Sequence, residues 1–406
     1  MSDTAARRGL IVLYCAALIV VISWGIRQSF GLFLRPISVD LGWGRETVSA
    51  AIATQHLIVG LAVPFAGALA DRWGPVRVLA LGGALLALGL ALMSQASTPT
   101  GMLISAGFLP GLGLSGCGLP LVLSVIARIA PEEKRSAWFG IVTAGATAGQ
   151  FLVVPASQVL INFHGWSGGL LILSAVAAGV IALTLPVARF GIAEKPQTDE
   201  RNLGAALREA GNHCGFWLLT AGFFVCGFQV QFIASHIPAY LVDVGTSAEL
   251  GAVVIAVIGV FNMIGAWGAG VLGGKRRKKN LLSLMYGLRA LVIAGFVLAP
   301  KNEVTVIAFA VLIGFLWLGT VPLTSGIVAQ VFGTRYMGTL YGIVYLGHQL
   351  GSFSGVWLGG RLFDATGSYE VVWWVTIGLG AFAALVHMPI DDRPLDRTND
   401  ADARAT

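Results

Sequence analysis

Charge is what this sequence has least of. Of its 406 residues, 11% are Asp, Glu, Lys or Arg, against about 25% in soluble domains. So few charges cannot clothe a water-facing surface of that size, which excludes an ordinary soluble enzyme or binding domain. Cysteine is scarce as well. Cys15, Cys117, Cys214 and Cys226 show no CxxC spacing and three of them fall in apolar stretches, so no disulfide framework is expected. The chain has no HExxH, no P-loop and no Cys/His metal spacing, which argues against a membrane enzyme. Its methionines form no pair, and the residue one turn after His236 is Tyr240, which argues against a metal importer. No cleavable signal peptide is evident, because the first apolar run is about 25 residues long and reads as a first spanning helix.

Apolar residues, by contrast, make up 56% of the chain, and the mean hydropathy is +0.80. They come in runs of the length that crosses a hydrocarbon layer of about 30 Å as a helix. Spans are predicted over 10–34, 46–69, 76–96, 102–127, 136–161, 167–188, 215–240, 249–272, 281–299, 304–330, 337–361 and 370–389. The one long polar stretch, Arg189 to His213, divides them six and six. The expected organisation is a six-helix bundle over 1–188, a cytoplasmic linker over 189–214, a second bundle over 215–390 and a cytoplasmic tail over 391–406. The fold class is all-α and polytopic, with twelve transmembrane helices.

Lys and Arg in the loops set the orientation. Twenty of the 26 fall on the side of the two termini, and four (Arg35, Arg45, Lys301 and Arg361) fall on the other. Both termini are therefore expected in the cytoplasm of an inner-membrane protein. The net charge of +6 and the run Lys275–Lys279 read as topology anchors, with no nucleic-acid partner.

The halves repeat one another. Val39-Asp40-Leu41-Gly42 returns as Val242-Asp243-Val244-Gly245, Gly67 to Arg72 as Gly270 to Lys275, Pro120-Leu121 as Pro322-Leu323, and Gly140-Ile141-Val142 as Gly342-Ile343-Val344. Two bundles of like orientation leave a cavity between them, and rocking would expose it to each side in turn. Prolines within spans bend helices, and Pro120 and Pro322, at matching places, are the expected hinges.

Gly67-x-x-x-Asp71-Arg72-x-Gly74-x-x-Arg77, after the second span, resembles the loop signature of the major facilitator superfamily. The resemblance implies two six-helix bundles and a transport function, with Gly67, Asp71, Arg72, Gly74 and Arg77 as a conformational latch. Ser29-Phe30-Gly31-Leu32-Phe33 and Gly360-Arg361-Leu362-Phe363-Asp364-Ala-Thr366-Gly367-Ser368-Tyr369 resemble the monocarboxylate porter group, to which oxalate and formate exchangers are related. The chain departs from that group where its first-helix lysine falls on Gln28 and its eighth-helix acid and arginine fall on Asn262 and Ala266. Substrate and proton coupling are therefore not implied. The fifth span also lacks the Gly-Pro element usual in antiporters of the superfamily, which counts against drug efflux.

All twenty carboxylates lie in loops, tails or span ends, so the fixed charges at membrane depth are Arg27 and Arg289. Such charges cost several kcal/mol and are functional by default. Arginine stays protonated when desolvated and grips carboxylates in a two-pronged geometry. Arg27, on the cavity-lining first helix, is the expected anion-binding residue. Arg289, in the ninth span, reads first as structural, bonding backbone carbonyls or Asn262. Gln28, Gln55, Gln229, Gln231, Tyr240, Asn262, His348 and Gln349 complete the candidate substrate site. His56, His236 and His348 are the candidate proton carriers. Gly347, Gly351, Gly355 and Gly359 form a small-residue stripe suited to close helix packing. The expected function is transport of a small organic anion by a monomer in the bilayer, with no cofactor. Import of a heterocyclic vitamin such as riboflavin, metal import and efflux are the alternatives.

Overall fold

In hydrocarbon a backbone must satisfy its own hydrogen bonds, and these apolar runs do so as helices. The computed structural model describes residues 3–129, 135–190, 203–333 and 336–395, with the side chains of 3–8, 71, 127–129, 135–137 and 190 left aside. No strand occurs among these residues. The first half comprises α1 (Asp3–Leu41), α2 (Arg45–Trp73), α3 (Pro75–Met93), α4 (Pro99–Met102), a π-helical turn (Leu103–Phe108), α5 (Leu109–Cys117), α6 (Leu119–Ile129) and α7 (Arg135–Phe190). A short α8 (Leu203–Asn212) precedes the second half, which comprises α9 (Cys214–Asp243), α10 (Ala248–Gly273), α11 (Lys278–Leu298), α12 (Glu303–Phe315), α13 (Thr320–Phe332), α14 (Met337–Thr366) and α15 (Glu370–His387).

Ten helical stretches among the described residues are long and apolar enough to cross a membrane. One of these, Trp138–Arg189, is 52 residues long and breaks at Gly165, whose φ of +69° interrupts the helix, so it makes two passages. The glycine-rich α14, with its His348-Gln349 pair, lies outside that apolar set and makes the twelfth passage. The repeat shows in the backbone. Gly42 and Gly245 end α1 and α9 at φ +65° and +90°, and Gly165 matches Gly367, both at φ +69°. Only glycine adopts this region without strain.

The fourth and tenth spans are both broken. The fourth breaks at Gly118 (ψ 173°) and resumes at Leu119, and the tenth breaks between Phe315 and Thr320. Pro120 and Pro322 lie in the first turn after each break, where proline's missing N–H costs nothing. The discontinuities therefore precede the prolines, and the residues expected to bend a helix begin a new one.

The glycine stripe of α14 is a packing surface. A Cβ at Gly347, Gly351, Gly355 or Gly359 would strike Thr220, Phe224, Phe228 or His236 of α9 in the same half. Gly145 and Gly149 of α7 meet Ala17 and Val21 of α1 in the corresponding way.

Among the described residues the halves touch along α2–α14, α7–α10 and α1–α9, with the closest approaches toward the face far from the termini. Gly31 packs on Ala234 and Ser235, Gly60 on Gln349, Gly259 on Gln150, and Gly360 on Ser49 and Arg45. From Val48 to Val59, α2 buries Ser49, Ala51, Ala53 and Gln55 completely, whereas beyond Gly60 its described side chains are half-buried or exposed apart from Ala70, and Phe65 is 75% exposed. The halves are thus sealed at the face far from the termini and, among the described residues, parted at the face that carries them.

Candidate functional site

Arg27 sits where the cleft ends. One turn farther along α1, about 6 Å on, Gly31 closes against α9. Arg27 is partly exposed, and its Nη2 donates to Nδ1 of His56 on α2 at 2.8 Å. A guanidinium has no acceptor, so Nδ1 of His56 is the acceptor and the neutral imidazole carries its proton on Nε2. Trp24 lies under the guanidinium at 5.4 Å, and Arg27 Nε is buried without a partner. No carboxylate of the described residues pairs with Arg27. The backbone carbonyl of His56 accepts from Gln349 Nε2 of α14 at 3.0 Å, which ties this layer to the second half. Gln349 Oε1 in turn faces Nδ1 of His348 at 3.1 Å, and His348 stacks on Tyr345 and lies against Phe223. Arg27, His56, His348 and Gln349 therefore form one polar layer at the floor of the cleft.

The other sequence candidates are dispersed over the molecule. Gln28 is buried beside Arg27 and donates to Gln150 at 3.4 Å, and Gln150 bridges to the Ile255 carbonyl of α10 at 2.7 Å. Gln55 donates to the Ala106 carbonyl at 3.2 Å, within the π-helical turn where the ordinary helix register is lost. Arg289, 1% exposed, holds the broken tenth span. It donates to the carbonyls of Leu316 and Trp317 (2.6 Å for the latter), to Gln229 Oε1 at 3.2 Å and toward Cys226 Sγ at 3.7 Å, with Tyr286 packed at 5.2 Å. Those carbonyls end a helix and have no intrahelical partner. Asn262 completes the joint by accepting from Leu318 N at 2.9 Å, and Gln229 donates on to the Thr376 carbonyl. Gln231 is buried on α9.

His236 and Tyr240 belong to the far seal. Arg45, read from the sequence as a loop charge, is instead 7% exposed and is the centre of that seal. It grips Asp243 through both terminal nitrogens at 2.5 and 2.7 Å, donates to the Tyr369 hydroxyl at 3.0 Å and lies 3.8 Å over the Phe363 ring. Arg35 approaches Asp243 at 3.5 Å. Asp364 caps α2 by accepting from the N–H groups of Arg45 and Glu46 at 2.8 and 2.7 Å, and Arg361 pairs with Glu46 at 3.0 Å. A carboxylate is favoured at this helix end by its free N–H groups and its dipole. Because the Val356 carbonyl can only accept, Nε2 of neutral His236 donates to it at 2.8 Å, and Nδ1 accepts from Tyr369 at 2.9 Å. Burial pushes the Tyr369 hydroxyl above its usual range, which keeps it a donor. Tyr240 packs edge-on against Tyr369, Phe296 and Trp373.

Sequence reasoning missed this seal as a unit, although each part was in view. Gly360 to Tyr369, which carries the subgroup resemblance, supplies Asp364, Arg361 and Tyr369, and Asp243 stands in the repeated Val-Asp-x-Gly. The latch motif lies at the open face. Gly74, at φ +88° and ψ 140°, separates α2 from α3, Arg72 and Arg77 are exposed, and no atom lies within contact of a Cβ at Gly67. The side chain of Asp71 is outside the described set.

Comparisons with known proteins fit this architecture. The family model described as Major Facilitator Superfamily matches residues 13–356. An uncharacterised transporter of that superfamily from Bacillus subtilis is 24% identical, over 89% of this chain and 90% of its own length. Monocarboxylate transporter 13 of Bos taurus is 25% identical over 93% and 89%, and the oxalate:formate antiporter of Oxalobacter formigenes is 24% identical over 86% and 84%. Among solved structures, a bacterial homologue of the human lysosomal transporter Spinster, in an inward-facing and unoccupied conformation, superposes with a TM-score of 0.73 at 15% identity, covering 96% of this chain and 99% of its own. With a family match across most of the chain and twelve passages in two bundles, the chain is a multi-pass membrane protein with a general transporter role and belongs to the Major Facilitator Superfamily.

Proposed function

We propose that the protein is a secondary transporter that carries a small organic anion, of monocarboxylate kind, across the inner membrane by alternating access. The observation that carries this is Arg27. A permanent cation stands at the floor of the cleft, and its close polar partner is a neutral imidazole. Solvent alone leaves such a charge poorly compensated at this depth, and a substrate carboxylate supplies the missing charge in bidentate geometry. The names of the monocarboxylate and oxalate:formate relatives support the same substrate class. The lysine- and arginine-rich face is placed in the cytoplasm with both termini, and the cleft then opens inward while the Arg45–Asp243 seal closes the outside.

Uptake of labelled formate, pyruvate and oxalate into proteoliposomes tests the reading. Arg27→Ala is expected to abolish saturable uptake, and Arg27→Lys to raise KM at least tenfold, because an ammonium cannot reproduce the two-pronged contact. Unchanged saturation in both variants refutes the assignment. Thermal stabilisation by riboflavin in place of the ionised acids moves the substrate to the heterocycle class.

A further inference from the structure

The second half carries a groove between α11 and α12. It holds about 360 Å³, with Leu288, Gly295 and Phe296 on one wall and Thr305, Phe309 and Leu312 on the other. Gly295 makes the dent, since a Cβ there would meet nothing within 4 Å. The hydroxyl of Thr305 is turned to Asn302 Oδ1 at 3.1 Å, so the lining offers hydrocarbon and little else. Leu284, Leu288, Leu291 and Leu298 stand exposed along one face of α11, as side chains that meet lipid tails do.

The groove has the length of one leaflet. Leu288 is the middle residue of α11, beside Arg289 and the break of the tenth span, and Phe296 lies two residues from the end of that helix at the far face. Eight residues of helix rise about 12 Å, against about 15 Å for half of a hydrocarbon core.

The outer end of the groove carries a cation. Lys301, in the link from α11 to α12, donates through Nζ to the carbonyls of Val297 and Ala299 at 3.0 and 2.6 Å, and lies 5.2 Å over the ring of Phe296. Phe296 in turn stacks on Phe309 of α12 at 4.1 Å, so the ammonium is fixed at the mouth. An ammonium has three N–H donors, which leaves one for a ligand. Partial burial pulls Lys301 below the usual lysine range, and no carboxylate of the described residues pairs with it. Glu303, close in sequence, stands in the first turn of α12 on the side turned away from Thr305 and Leu312.

We propose that this groove is a binding site for a phosphatidylglycerol of the leaflet at the far face, with one acyl chain between α11 and α12 and the phosphate against Lys301. An empty groove would cost its walls their dispersion contacts, so some lipid tail fills it whatever the headgroup. The fixed ammonium selects which lipid. An anionic headgroup gains a charge-assisted bond there, whereas the phosphate of a zwitterionic lipid already has its own cation. The tail ends beside the Arg289 joint and braces the broken tenth span. The site is independent of the substrate reading.

Native mass spectrometry of the delipidated full-length protein, titrated with phosphatidylglycerol and with phosphatidylcholine of identical acyl chains, tests this. The wild type is expected to bind its first phosphatidylglycerol about fivefold more tightly than its first phosphatidylcholine, the worth of one lysine beside an anionic headgroup. Lys301→Gln should bring that preference below twofold and leave the affinity for phosphatidylcholine unchanged. Gly295→Leu, which fills the dent, should weaken the first site for both lipids. Ala308→Leu, from the opposite wall, takes its place if that variant is not monodisperse. A wild-type preference below twofold overturns the proposal without any variant, because lipid then covers the groove as bulk solvent. A preference that stays above twofold in Lys301→Gln puts the headgroup at another cation and overturns it too. First-site affinity unchanged in the filled variant removes the groove as the place of the tail.

Discussion

Replacing Asp243 by Asn should loosen the far seal without touching the cleft floor. Arg45 binds both oxygens of Asp243 at 2.5 and 2.7 Å, and the two side chains are 9% and 25% exposed. Removing one member of a buried, hydrogen-bonded ion pair costs about 3–5 kcal/mol. A quarter of the Asp243 side chain meets solvent and Asn keeps one acceptor, so about 2–3 kcal/mol is the reasonable share here. That loss falls on the closed arrangement alone, because in any arrangement that parts α2 from α9 both groups are hydrated. The ratio of far-open to far-closed molecules should therefore rise by about 30- to 150-fold, at 1.4 kcal/mol per tenfold. Spin labels at Val39 and Val304, both exposed at the far face, read that ratio by pulsed dipolar spectroscopy, in a background where Cys15 and Cys214 are replaced by serine. Cys117 and Cys226 are buried and can stay. A longer inter-label distance should gain population in Asp243→Asn, and the exchange Arg45→Asp with Asp243→Arg should partly reverse the gain. A distance distribution unchanged within twofold in both Asp243→Asn and Arg45→Ala refutes the role given to the pair.

Two further outcomes follow from the packing. Arg289→Gln should cost about 2–4 kcal/mol, the penalty for leaving buried carbonyls at Leu316 and Trp317 unsatisfied, seen as a fall in the melting temperature of the detergent-solubilised protein. A melting temperature within about 2 °C of wild type refutes the joint. At the open face, Asp392 accepts from Arg277 at 2.5 Å, and this bond, opposed by partial burial, holds its carboxyl below the usual aspartate range. A depressed carboxyl stabilises the fold above the unfolded value of about 4 and loses that contribution as pH falls through its folded value. Asp392→Asn should therefore melt below wild type at neutral pH, and the two curves should converge in acid. Parallel curves down to pH 3 would count against the bond.

The helices were legible because hydrophobic runs of fixed length admit one solution in a bilayer. The matching of the halves was legible because short motifs recur at nearly one offset. The breaks in the fourth and tenth spans were legible only to within a few residues, since proline marks the start of the helix that follows a break as readily as a bend. The seal was not legible. Arg45 and Asp243 are 198 residues apart, and each stands at a span end, where a charge ordinarily needs no partner. Symmetry did not help, because Asp40, the repeat partner of Asp243, bonds instead to Trp166 Nε1 at 2.8 Å within its own half. A repeat conserves position in the fold, and the partner across the interface is then free to diverge.

The two intramembrane arginines show why charge at depth does not by itself name a site. Insertion into hydrocarbon penalises both alike, and the sequence offers neither an acid. Arg289 answers with backbone. A helix ends beside it, and the freed carbonyls of Leu316 and Trp317, with Gln229, accept from its two terminal nitrogens and leave its Nε buried without a partner, at 1% exposure. Arg27 has no broken helix at hand. Its neighbour on α2 is an imidazole that accepts one bond and brings no charge, and Arg27 stays partly exposed. An arginine whose compensation comes from the fold is part of the fold. One whose compensation is incomplete, placed where the two halves part, is open to a ligand of opposite sign. The distinction depends on where helices break, which hydropathy does not encode, and so only the placement of side chains separates the two roles.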